Sequence, residues 1–497
     1  MSFGKYFLGS VAVGAALMTT VPAKAESLNS QIQTLRQQIQ QLNQQLQNLQ
    51  GQVQQTQQKQ AQTDAAVDQM KTAPATTEAS SGMPTFRMNG LAPTFSSADG
   101  AYTLSLTGRL HFDMGDYLNY SKKSPSTTPN DLQSGVKARR ARLGIDGKLD
   151  NDFGYAFIMD FGGSSTDNGS TIENAYVTYN GLPVHFIVGY QDTPYTLDEA
   201  TSSNDILFLE RSSSQVVATE FGSGDNRSAV GAWWNNDRAW AGVFGTGNAS
   251  GNSDNGGASG KGVASQLALT GRLAYQLIQT PNATFHVGVD ADALLKPPVV
   301  AANGFRGLTL SDSPELRIDN QTILNTGTIG SADHPVTGGH VFGPELAGNI
   351  GPLYGQAEYF HYTVERQGLS DLNFNGGYVE ASYVLTGEQR HYKPTAGAYS
   401  GIVPFHPFAP SSGYWGAWEV AARYSVIDLN EDLGSATGVA GGKQQTYSVG
   451  LNWYPSSSLR FMLDYIHANV DKQASATSST PVGATMDAVA LRTQFAF

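Results

Sequence analysis

Apolar and polar residues alternate along this chain with two different periods, and the change from one to the other divides it. Leu28, Ile32, Leu35, Ile39, Leu42, Leu46, Leu49 and Val53 follow steps of four and three, with Gln, Asn and Arg filling most of the space between. That heptad pattern predicts an α-helix over 26–72 that pairs with other helices, because so narrow an apolar stripe is marginal on an isolated helix in water. β-branched residues at one heptad position with Leu at the other favour two strands taken alone. From about Pro84 the period becomes two. Leu104, Leu106, Leu110, Phe112 and Met114 alternate with Ser105, Thr107, Arg109, His111 and Asp113, and similar runs recur to the last residue. The final segment, Val489 to Phe497, puts Val489, Leu491, Thr493, Phe495 and Phe497 on one face and Ala490, Arg492, Gln494 and Ala496 on the other. A frayed end in water has no use for two such aromatics, whereas the last strand of a membrane barrel places them at the lipid interface.

Turn signals separate the runs: Asn235-Asn236-Asp237, Pro281-Asn282 and Pro455 to Ser458. Longer polar stretches, 246–262 and 391–414, read as outer loops. Roughly 410 residues at about 25 per strand and connection give on the order of 16 strands, the size class that leaves an aqueous channel. Residues 1–25 have the form of a secretory signal, with Lys5, an apolar stretch to Val21, and Ala23-Lys24-Ala25 before the cut. Residues 73–83 are small and Pro-containing and read as a linker. The expected class is therefore all-β: a 16-stranded antiparallel transmembrane β-barrel over 84–497, preceded by an N-terminal α-helical coiled coil over 26–72.

Composition agrees with many strands and tight turns: 55 Gly, 22 Tyr and 22 Phe in 497 residues, with 14% charged residues. With no Cys, disulfide frameworks and thiolate metal sites are excluded. A net charge of -12 argues against a nucleic-acid binder. Enzyme motifs are nearly absent. The His residues have no metal-ligand spacing, no nucleophile elbow occurs, and no carboxylate pair stands out among many scattered ones. No enzyme, cofactor or metal is expected.

The informative cluster is Lys137-Ala138-Arg139-Arg140-Ala141-Arg142. Arg140 and Arg142 share the face opposite Leu143 and Ile145 and should point into the lumen. Arg139 has the lipid-facing parity, tolerable only near an interface, because an Arg against lipid at mid-depth costs about 2–4 kcal/mol. Arg109, Arg272, Arg423, Arg460 and Arg492 have inward parity too. Two outcomes follow. The arginines could form a positive lining that concentrates small anions. Asp113, Asp146, Asp290, Glu419 and Asp464 also face inward, so a mixed transverse field without strong charge selection is the other.

Several blocks resemble the phosphate-selective porin O and P family: Arg139 to Gly144, Phe208-Leu209-Glu210-Arg211-Ser212, Glu358-Tyr359-Phe360, Tyr378 to Glu388, Gly416 to Ser425 and Arg492 to Phe497. The resemblance runs from about Phe86 to the end. It implies a homotrimer of 16-stranded barrels in a Gram-negative outer membrane, with constrictions built partly by infolded loops. It also implies that Arg109, Arg139 and Arg140 match basic residues of the family's anion path. In the segment Gly189 to Tyr195, Asp192 stands where a Lys is usual, which exchanges a positive charge for a negative one. The expectation is an outer-membrane porin that passes small hydrophilic solutes, with phosphate one candidate anion and Arg109, Arg139, Arg140, Arg142 and Arg423 lining the pore. A second expectation is structural: the coiled coil in the periplasm tethers the outer membrane to peptidoglycan.

Overall fold

The computed structural model describes residues 40, 44, 47 and 83–497, apart from 90, 125–130, 164–169, 223–226, 250–265 and 301–303. The chain divides into two units, residues 1–80 and 81–497. In the first, Gln40, Gln44 and Gln47 are helical and exposed. The signal segment, the heptads as a set and the linker up to residue 82 lie outside the described residues.

The second unit is built of strands. The first are β1 Thr85–Asn89, β2 Ala92–Ser96, β3 Thr103–Lys122, β4 Gly135–Leu149, β5 Phe153–Asp160, β6 Thr171–Tyr179 and β7 His185–Gln191. There follow β8 Arg227–Asn235, β9 Ala239–Ala249, β10 Leu267–Thr280, β11 Ala283–Lys296, β12 Ser311–Asp312, β13 Leu324–Asn325, β14 Val336–Ile350 and β15 Leu353–Arg366. The last are β16 Leu372–Val384, β17 Tyr392–Lys393, β18 Ala398–Tyr399, β19 Ala417–Glu431, β20 Val439–Ser456, β21 Leu459–Asp471 and β22 Ala484–Ala496. β3–β11, β14–β16 and β19–β22 are 16 strands, each antiparallel to its neighbours, and the sheet closes where β22 pairs with β3. The β1–β2 hairpin lies against the start of β3, where Thr94 pairs with Ser105. β12–β13 and β17–β18 are small separate hairpins within connections.

Period-two sequence produces this arrangement directly. On β3, Leu106, Leu110, Phe112, Met114 and Leu118 are exposed while His111 and Asp113 are buried, the oily-out, polar-in alternation of a barrel wall. On β10, Leu269, Leu273 and Tyr275 are exposed and Arg272 is buried. Closure also explains the ending. The Phe497 N–H donates to the Gly108 carbonyl and the Gly108 N–H to the Phe497 carbonyl, each at 3.0 Å. A Cβ at position 108 would run into the Phe497 ring, so glycine there seats the terminal aromatic. The tight turn after β4 uses Asp150 and Asn151 at φ 52° and 62°, the left-handed conformation that these short polar residues tolerate.

Two expectations are corrected. Arg139 does not have the lipid-facing parity. His111 pairs with Arg140 but the adjacent Phe112 pairs with Ala138, so a β-bulge falls at Arg139 and turns it inward beside Arg140. The stretch 391–414 is not an outer loop; of the other, 246–262, residues 246–249 belong to β9 and the rest lie outside the described residues. The stretch 391–414 belongs to the connection 385–416 between β16 and β19, at the barrel end that carries Phe497 and the tight turns. There Phe408, Trp415, Trp418, Trp453 and Phe461 stack into an aromatic patch of the kind that marks a membrane interface.

The described residues of three connections fold into the lumen: 192–222, 304–335 and 385–416. The main apolar core is therefore inside the barrel. Tyr195, Val217, Ala218 and Phe221 of the first connection pack on Phe360, Tyr362 and Phe374 of the wall.

Candidate functional site

The inward segment 192–222 narrows the lumen, and its own sequence starts the fold. Thr196 caps the short helix Leu197–Ala200, its hydroxyl accepting from the Glu199 N–H at 3.1 Å. A second helix, Ser213–Gly222, buries Val217, Ala218 and Phe221. The residues between them run without regular structure through the barrel interior, where every buried carbonyl needs a donor. Arginines of the late strands supply these. Arg492 donates to the Leu209 carbonyl at 2.5 Å, Arg460 to the Ile206 carbonyl at 2.8 Å, and Arg423 to the Glu210 carbonyl at 2.9 Å. Asp464 completes the set by accepting from the Leu209 N–H at 2.8 Å.

Against this segment three adjoining cavities mark a polar route. The outer one, about 320 Å³, lies among Arg139, Arg140, Glu210, Arg211, Arg227 and Arg317. The middle one, about 120 Å³, is framed by Arg109, Arg140, Arg142 and Arg211, with Asp192 and Glu199 facing them. The inner one, about 740 Å³, is lined by Asp146, Tyr155, Tyr176, Asp192, Trp233 and Trp240. Arg140 and Arg211 line both outer and middle cavities, and Asp192 and Ser202 line both middle and inner ones, so each cavity adjoins the next.

The basic residues around the constriction differ in what they hold. Arg139 is spent on Glu210, donating from Nε at 2.7 Å and Nη2 at 3.1 Å. Arg142 pairs with Asp160 at 2.8 Å and with Glu173. Arg211 lies 3.4 Å from Glu199 and 3.6 Å from Asp198. Arg109 donates to two hydroxyls, Ser203 at 2.5 Å and Ser202 at 3.2 Å. Arg140 is 4% exposed, and neither its Nε nor its Nη1 makes a hydrogen bond. Glu210, although burial acts to raise its pKa, is held well below the ordinary carboxylate range by Arg139, Arg492 and Arg140.

Of the residues singled out from sequence, Arg109, Arg140 and Arg142 thus meet at the constriction and Arg139 borders its outer mouth. Arg423 is elsewhere: buried, it pairs with Glu315 at 2.7 Å and lies 4.6 Å over the Phe208 ring. Arg272 and Arg492 are likewise enclosed, on Glu345 at 2.9 Å and on Asp113 at 2.6 Å. Sequence reasoning missed Asp160, Glu173, Glu199 and Arg211. Glu210 and Arg211 were within reach, since they form the centre of a block whose family resemblance is visible; Asp160 and Glu173 carry no local signal.

The family model for phosphate-selective porin O and P matches residues 104–497. Porin O of Pseudomonas aeruginosa is 27% identical over 399 residues, 76% of this chain and 85% of that protein. An uncharacterised protein of Caulobacter vibrioides is 28% identical over 380 residues, 75% of this chain and 70% of the relative. Among solved structures, the outer-membrane channel DcaP of Acinetobacter baumannii has a TM-score of 0.45 at 13% identity, covering 81% of this chain and 99% of its own. The anion-selective porin of Comamonas acidovorans has a TM-score of 0.43 at 12% identity, covering 80% of this chain and all of the other.

Proposed function

Because the chain belongs to the phosphate-selective porin O and P family, we propose that its passage favours small anions and that Arg140 is the residue on which the preference turns. The protein is an outer-membrane porin, a channel through which small hydrophilic solutes diffuse down their gradients. One observation supports the finer reading: a nearly enclosed guanidinium, common to the outer and middle cavities, with two N–H-bearing nitrogens pointing at no partner. A buried cation in that condition is costly, and an anion entering the constriction relieves the cost while accepting charge-assisted hydrogen bonds. Arg109 adds donors beside it, and the infolded serines hold that side chain in place.

Tight binding would stop flux, because a strongly held solute cannot leave. Asp192 and Glu199, across the constriction, oppose the arginines. They set up a transverse field that orients a small anion without trapping it, so phosphate passes as one anion among several. The same proposal includes a homotrimer in outer-membrane lipid, with the heptad segment 26–72 reaching through the periplasm towards peptidoglycan.

The test is the reversal potential across a planar bilayer under a KCl gradient. Arg140→Gln should lower the anion-to-cation permeability ratio about five-fold, the effect of roughly 1 kcal/mol for one charge at close range in a wet pore. An unchanged ratio removes Arg140 from the selectivity mechanism.

A further inference from the structure

Away from the route, three carboxylates converge inside the wall. Asp290 on β11, Glu345 on β14 and Glu358 on β15 are all buried, and each offers an oxygen within 4.8 Å of the others. Strand register brings them together. Asp290 pairs with Gly343, Glu345 with Gly288, and Glu345 also with Glu358. Glycine at 288 and 343 is what admits the side chains, since a Cβ at either would collide with a carboxylate oxygen of the residue opposite.

Their present partners leave an imbalance. Glu345 accepts from Arg272, whose remaining N–H groups go to the Ala396 and Gly397 carbonyls. His286 bridges Glu345 and Tyr392, its Nε2 2.8 Å from a Glu345 carboxylate oxygen and its Nδ1 3.0 Å from the Tyr392 hydroxyl. Glu358 accepts from the Leu197 and Asp198 N–H groups at 2.7 and 3.1 Å and from the Tyr378 hydroxyl at 2.5 Å. Asp290 is 1% exposed, and neither of its oxygens receives a hydrogen bond. Tyr195 turns its fully enclosed hydroxyl towards Asp290, and that hydroxyl too falls short of hydrogen-bond geometry with any group. The cluster thus sets three carboxylates beside one guanidinium and one imidazole, with orphaned oxygens aimed into it.

We propose that Asp290, Glu345 and Glu358, with the Tyr195 hydroxyl, bind a divalent cation of hard-oxygen preference, Ca²⁺ before Mg²⁺. The donors are all oxygens, which disfavours soft metals. The cluster is closed and all-protein, which suits Ca²⁺ and its variable oxygen shell better than Mg²⁺, which demands an octahedron and sheds its waters reluctantly. Because Tyr195, Leu197 and Asp198 belong to the infolded segment and the acids to the wall, the ion would pin one to the other beside the constriction. The rival state is a cluster kept neutral by protons.

The experiment uses the full chain refolded in detergent without lipopolysaccharide, stripped with chelator and dialysed against Ca²⁺. Elemental analysis should find about one Ca²⁺ per chain. Tb³⁺ should show tyrosine-sensitised luminescence that Ca²⁺ abolishes. Asp290→Asn should weaken Tb³⁺ binding by roughly tenfold or more, while Arg140→Gln leaves it unchanged. Absence of bound ion in the wild-type protein overturns the proposal, and so does an Asp290→Asn variant that binds as well as wild type. Should that variant fail to refold, the wild-type ion content and Tb³⁺ competition decide. Because the readout is bound ion and not current, its failure is separable from any failure of the selectivity reading.

Discussion

Arg140 on β4 and Arg272 on β10 both lie on the lumen side of a strand, and both are almost wholly enclosed. They differ in what surrounds them. Arg272 is met by Glu345, two backbone carbonyls and the Trp240 face at 5.5 Å. Arg140 has Arg139, Arg142 and Arg492 for nearby charges, with Glu210 already engaged by Arg139 and Arg492. The same contrast runs around the barrel. On the late strands Arg423, Arg460 and Arg492 hold the carbonyls of residues 206–210, so their charges fasten the infolded segment. On the early strands Arg109 and Arg140 border the route that the segment leaves open. Parity decides only that an arginine faces inward; the third group packed against it decides whether it becomes a fastener or a lining.

Arg272→Met should be the most damaging change, because it strands the Glu345 carboxylate without its main partner. Loss of one member of a buried pair costs about 3–5 kcal/mol, read as a lowered urea midpoint of the refolded barrel. Arg140→Met should leave that midpoint unchanged or raise it, while reducing the anion preference about five-fold, the scale of roughly 1 kcal/mol. If both variants lose stability equally, the division into fasteners and lining is wrong.

Asp192→Asn sharpens the picture within the constriction. Removing the carboxylate that faces the arginines should raise the anion-to-cation ratio by about two-fold, a smaller change because the group lies beside the wide inner cavity and is screened. A fall in the ratio would show that Asp192 serves mainly to hold an arginine in place.

The smallest effect should come from pH. Glu210 is more acidic in the folded protein than in the unfolded chain, so its contribution to stability is present above the unfolded value of about 4.3 and is lost only as pH falls through the lower folded value. Between pH 8 and pH 5 the Arg139–Glu210 fastening should therefore hold. A midpoint in conductance or urea stability near pH 5 that disappears in Glu210→Gln would contradict it.

Much of this protein is written in the order of its residues. Period-two alternation is enough to specify lipid-facing Leu110, Phe112 and Leu273 against inward Asp113 and Arg272, since a strand's side chains can point only two ways. The length of the period-two region, at about 25 residues per strand and connection, points to the strand count. The sequence could not reveal the bulge at Arg139, because a bulge depends on how β3 and β4 pair and one extra residue reverses every parity beyond it. Nor could it place 385–416 at the same end as Phe497, since that requires counting every crossing correctly. Which arginines stay free was also beyond it. Arg140, Arg272 and Arg423 look equivalent in sequence, yet a nearby wall strand brings Glu345 to Arg272, an infolded connection brings Glu315 to Arg423, and the Glu210 beside Arg140 is engaged by Arg139 and Arg492. Local pattern fixes which side of the wall a side chain occupies; only the closed barrel with its infolded segments determines what it meets there, because electrostatic partners are chosen by distance in space and not along the chain.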